Sequence, residues 1–130
     1  MINLFKTKMV RDSINDQPEK TQEIINESEY CICITNSQGN FVYVNDNYCQ
    51  NYEYDRSELI GNHFSMVVVD GEEDTMTNLH DKFIETQREI SRIWKVKTKT
   101  GRVLNINVDA RFTDQINNEP HKITFVEVKP

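Results

Sequence analysis

The chain has 130 residues, room for one hydrophobic core and too few for two, and its six Phe, five Tyr and one Trp argue for a folded domain rather than a disordered one. Its 21 acidic against 15 basic residues leave a net charge of -6, so no basic field exists for nucleic acid or an anionic membrane surface. Three cysteines, an odd number with Cys31 and Cys33 two apart, argue against a disulfide framework and point to a reducing, cytoplasmic setting.

Residues 1–16 place Ile2, Phe5 and Met9 at helical spacing, which predicts a short amphipathic helix. Asp16, Pro18 and Glu19 carry the signals of a fresh helix start, and Ile24 and Ile25 give that second helix an apolar edge. A lead-in of this length does not stabilise itself: it either packs on the domain or on another copy, or it frays. The division is therefore a helical lead-in, residues 1–28, and a domain, residues 29–130.

Tyr30 to Thr35 is apolar on both faces, as a central strand is, and Phe41 to Val44 completes a hairpin across Asn36-Ser37-Gln38-Gly39. Asn45 ends that strand and caps the helix begun by Asp46 and Asn47. Asp55 to Gly61 reads as a helical turn closed by glycine. Over Thr75 to Gln87 the periodicity predicts a helix with Met76, Leu79, His80, Phe83 and Gln87 on one face. Parity then decides the next hairpin. Only a three-residue loop, Lys99-Thr100-Gly101, sets Val96 against Leu104 and Trp94 against Ile106, leaving Lys95 and Lys97 on the solvent side. Thr113 to Pro120 reads as a polar loop, and Ile123 to Val128 as the last strand. Five strands with few helices make an antiparallel α+β domain.

The order Gly39, Phe41-Val42-Tyr43-Val44-Asn45, Tyr54, Glu58-Leu59-Ile60-Gly61, followed by Trp94, Lys99-Thr100-Gly101 and a long final strand, resembles a PAS sensory domain of the S-box type over residues 28–130. One departure is Glu53, where members of that family commonly carry glycine. The resemblance implies the sheet order 2-1-5-4-3, with the short helices and the Thr75–Gln87 helix on one face. It implies a sensory or regulatory module, commonly a homodimer, that binds a small ligand or a separate signalling protein.

A pocket between sheet and helix would be walled by Ile34, Leu79, His80, Phe83, Trp94, Ile106 and Val108, or filled by those side chains outright. His80-Asp81-Lys82-Phe83-Ile84 is similar to the segment carrying the axial histidine in haem-binding members, which makes His80 a candidate haem ligand beside the alternative of a core histidine bonded to a carbonyl. Flavin photochemistry is disfavoured, because Asn62-His63-Phe64-Ser65 lacks the cysteine that the light-sensing relatives place there. No metal set, phosphate-cradling glycine run or nucleophile triad accompanies the three histidines, which argues for a non-catalytic module and against the alternative of an enzyme such as a small α+β hydrolase or isomerase.

Overall fold

The period-2 runs form one sheet in which every neighbouring pair is antiparallel, in the spatial order 2-1-5-4-3 with the strands numbered along the chain. The computed structural model describes residues 2–130. The strands are β1 (Cys31–Asn36), β2 (Phe41–Val44), β3 (Ile90–Lys97), β4 (Val103–Ile116) and β5 (Glu119–Val128). The helices are α1 (Leu4–Asp16), α2 (Thr21–Asn26), α3 (Asp46–Tyr52), α4 (Arg56–Leu59) and α5 (Glu73–Thr86), with 3-10 turns at Pro18–Lys20 and Phe64–Val67.

β1 lies between β2 and β5, and its first five residues are all buried, as a strand apolar on both faces requires. The β3–β4 register pairs Trp94 with Ile106 and Val96 with Leu104 across Lys99-Thr100-Gly101, with Gly101 at φ 89°, as parity predicts. The segment Thr113 to Pro120 is not a loop. β4 runs on to Ile116, and Asn117-Asn118, at φ 54° and 58°, makes the two-residue turn into β5 at Glu119. Two successive left-handed residues match the right-handed twist of paired strands, and asparagine adopts that conformation at low cost.

Asn45 is the hub between lead-in, sheet and α3. Its Oδ1 accepts from Ile32 N at 2.9 Å and Tyr48 N at 3.0 Å, while its Nδ2 donates to Ile25 O at 2.8 Å and Tyr30 O at 2.9 Å. The left-handed position before Tyr54 is kept although glycine is absent: Glu53 sits at φ 68°, its carboxylate accepting from the Thr100 hydroxyl and lying 3.2 Å from Arg102 Nη2.

Strand alternation divides the core in two. Ile32, Ile34, Ile123 and Phe125 turn to an outer layer shared with Ile2, Ile14, Ile25 and Ile116. Cys31, Cys33, Val126 and Ile106 turn to an inner layer under α3, α4 and the Phe64–Val67 turn. The lead-in thus covers the outer face of its own sheet. α1 presents Thr7, half-buried Val10 and Ile14 to that face, so Phe5 and Met9, expected on its apolar edge, are 71% and 54% exposed. The stripe that packs is 7-10-14, and its first member is a threonine whose hydroxyl is satisfied by Leu4 O at 3.1 Å.

Candidate functional site

The inner face of the sheet and the α5 layer do not close on each other completely; they enclose a cavity of about 110 Å3. Its floor follows from the register. Thr35 and Lys122 are cross-strand partners, then Cys33, Thr124, Ala110 and Ile90 line up across the sheet, then Val126, Val108 and Arg92, and at the far end Ile106 with Trp94. Its roof is Met76, Leu79, His80 and Phe83 of α5 with Phe64, Val67 and Val68. Tyr48 and Tyr52, stacked at 3.9 Å, line it from α3; burial holds both phenols neutral by pushing their pKa well up.

Gly39 sets the position of the Phe64 ring. A Cβ there would come within 2.7 Å of His63 Nε2 and 2.9 Å of Phe64 Cε2, and the residue stands at φ 84°. Only glycine satisfies both the turn and the close approach. Phe64 then packs on His63 at 4.5 Å and reaches the His80 ring at 5.2 Å.

His80, 1% exposed, has Nε2 at 2.9 Å from Asn36 O. That nitrogen therefore carries the proton, and Nδ1 is left as a buried acceptor without a donor. Burial first, and the Lys122 charge second, push the imidazole pKa down to about 4, so the ring is neutral at physiological pH. Lys122 lies against the same aromatic cluster, its Nζ 5.1 Å from the Phe64 ring centroid and 5.9 Å from that of Phe83. Burial pushes its pKa down to about 8, which leaves it a cation at pH 7. Among the described residues that ammonium has no hydrogen-bond or ion-pair partner. The buried side-chain polar atoms left without a partner among the described residues are Thr35 Oγ1, His80 Nδ1 and Trp94 Nε1, and all three residues line this cavity. Arg92 stacks its guanidinium 4.5 Å from the Trp94 ring.

Leu79, His80, Phe83, Trp94, Ile106 and Val108, named from the sequence, all line the cavity. Ile34 does not. It pairs with Ile123 and lies in the outer layer beneath the lead-in, because Cys33 and Thr35 hold the inward positions of β1. The residues around His80 do not fit a haem as arranged: Nε2 is held by a carbonyl, and a cavity of about 110 Å3, smaller than the roughly 150 Å3 that takes benzene, has no room for a porphyrin. Sequence reasoning missed Lys122 and Thr35. Continuing the final strand back past Ile123 would have placed Lys122 on the same face as Thr124 and Val126. Among the described residues no group of three or more His, Cys, Asp or Glu could hold a metal ion, and no helix is long and apolar enough to cross a membrane.

The PAS fold family model matches residues 19–126. No curated protein sequence matches the chain. Among solved structures, the PAS domain of an HTR-like protein from Haloarcula marismortui superposes with a TM-score of 0.74 at 13% identity, covering 94% of this chain and 99% of that one. A PAS domain from Desulfitobacterium hafniense gives 0.74 at 18% identity over 82% and 99%, and that of Bordetella pertussis BvgS gives 0.72 at 17% over 88% of each. With the family model matched across most of its length and the 2-1-5-4-3 sheet in place, the chain belongs to the PAS family, whose fold is that of a sensory signalling module.

Proposed function

We propose that this PAS domain is a sensor that takes a small ligand into the cavity between sheet and α5 and does so without catalysis. The observation that carries this is the coincidence of every orphaned buried polar atom among the described residues with one cavity lining. Folded proteins satisfy buried polar groups, so three together at one cavity favour a missing partner over accidental packing. The chemistry of the lining supports binding over reaction. His80 is held neutral by Asn36 O, and burial pushes the Cys33 thiol up to about 11, which removes it as a nucleophile at neutral pH.

Residues 29–130 are the sensing unit and residues 1–28 the element that reports occupancy. β1 and β5 face the cavity on one side and α1 and α2 on the other, so a shift of the floor reaches the lead-in through a single layer of backbone. The exposed Leu4, Phe5 and Met9 of α1 then offer an apolar ridge to a second copy of the chain, or to a separate signalling protein, in a reducing cytoplasm.

Native mass spectrometry on freshly purified protein, followed by a thermal-shift screen of small amphiphiles, tests the cavity. Bound mass or a ligand-induced rise in Tm is expected, and both should vanish in Ala110→Leu, which fills the floor. No bound species and no shift with any compound would overturn the proposal. A Soret band on added haemin, lost in His80→Ala, would replace it with a haem sensor.

A further inference from the structure

The cavity is asymmetric along the strands, and that asymmetry points to a ligand class. At one end Lys122 and Thr35 are cross-strand neighbours, and the Lys122 ammonium stands against Phe64 and Phe83 with no anion among the described residues to pair with it. Thr35 is 1% exposed and its hydroxyl has no partner. The next positions of the floor, Thr124 and Ala110, are small, and the roof above them is the apolar face of α5. A half-buried cation that spends its charge on two ring faces is poorly compensated. An ammonium and a hydroxyl carried by paired strand positions that line one end of the cavity match the two oxygens of a carboxylate; a phosphate would leave most of its acceptors against apolar carbon.

Resting on the ligand-binding role proposed above, we propose that the cavity accepts a small monocarboxylate, its carboxylate on Lys122 and Thr35 and its apolar body over Thr124 and Ala110. An apolar cavity of about 150 Å3 takes benzene, so the space here suits a body of roughly three to five carbons. A short aliphatic acid such as butyrate is the natural probe. The other titratable groups coupled to the ammonium keep their charge through neutral pH: His80 on α5 is neutral above about 4, and the Cys33 thiol on β1 is protonated below about 11. The carboxylate subsite therefore follows Lys122 alone, present below about pH 8 and lost above it.

The test is a chemical-shift titration of the full chain with butyrate, butyramide and 1-butanol at pH 7. Butyrate is expected to bind at least roughly tenfold more tightly than butyramide, as a charge-assisted hydrogen bond does over a neutral one. The shifts should centre on Thr35, Lys122 and Thr124, and the affinity should fall above pH 8. Lys122→Met and Lys122→Gln should erase the preference while butanol still binds. Equal affinities for the three compounds, or a preference that survives Lys122→Met, would overturn the carboxylate assignment and leave an apolar ligand site. If none of the three perturbs the cavity residues, the carboxylate assignment falls, and the thermal-shift screen above decides separately whether the cavity binds anything.

Discussion

The two faces of one sheet are built from alternate residues of the same strands, yet they differ in kind. The outer face, with Ile32, Ile34, Ile123 and Phe125, is roofed by α1 and α2 and carries none of the orphaned polar atoms. The inner face, with Cys33, Thr35, Lys122 and Thr124, meets the α5 layer incompletely and carries or borders all of them. Close packing is the default of protein interiors, and the outer face shows this sequence achieving it. The gap on the inner face is therefore a property of the residues chosen there, a lysine and two threonines where the other side has isoleucine and phenylalanine.

Truncation separates the faces most strongly. Phe125→Ala opens a hole in a layer with no slack and is expected to cost about 3–5 kcal/mol in urea unfolding. Asn45→Ala, which orphans backbone groups at Ile32, Ile25 and Tyr30, is expected to cost about 2–4 kcal/mol and to loosen α2 first in hydrogen exchange. The inner face should respond with the opposite sign. Lys122→Met replaces an uncompensated cation by an apolar chain of similar length and is expected to stabilise the ligand-free protein by about 1 kcal/mol or more. If it destabilises by that amount, the ammonium has a partner in solution and the contrast between the faces is broken.

Acid sharpens the same contrast. The His80 pKa lies near 4 in the folded protein against 6.5 for the free side chain, so the unfolded chain binds the extra proton first. Stability is then full above pH 6.5 and falls as pH drops toward 4, by up to about 1.4 kcal/mol per pH unit from this one group. His80→Gln, which keeps a donor for Asn36 O, should flatten that part of the profile. Lys122 shows at the alkaline end: its folded pKa of about 8 lies below 10.5, so the advantage of Lys122→Met should be full below pH 8 and shrink as pH rises to 10.5.

Much of this was legible in the residues. Turn chemistry, alternation and the parity of the β3–β4 hairpin mark all five strands, and with the α5 stripe they name six residues that line the cavity and one, Ile34, that does not. The failures share a cause. β1 is apolar on both sides, so alternation says that Ile34 and Cys33 point oppositely without saying which faces the cavity; the choice is made by α1, whose packing stripe includes a threonine. Asn117-Asn118 looks like loop composition but forms a tight turn, which hid the start of β5 and with it Lys122. Lys122, a polar residue at an inward strand position, is the signal for the site, and it falls between the expected loop, which ends at Pro120, and the expected strand, which begins at Ile123.

The smallest expected effect on stability concerns the far side of α1. Leu4, Phe5 and Met9 are exposed, one ridge of a helix whose opposite stripe is buried, so replacing them should change unfolding free energy by no more than about 0.5 kcal/mol. Their apolar character then has no use in the isolated chain, and the outer layer beneath, with no slack, would pass a shift in the sheet on to them. Phe5→Ser with Met9→Ser should leave the fold and ligand affinity intact, and the dimer proposed above, expected in sedimentation of the wild type at high micromolar concentration, should give way to a species of one 15.3 kDa chain. Were the wild type itself a single chain at that concentration, the ridge would belong to a different protein, and coupling between the faces would have to be sought there.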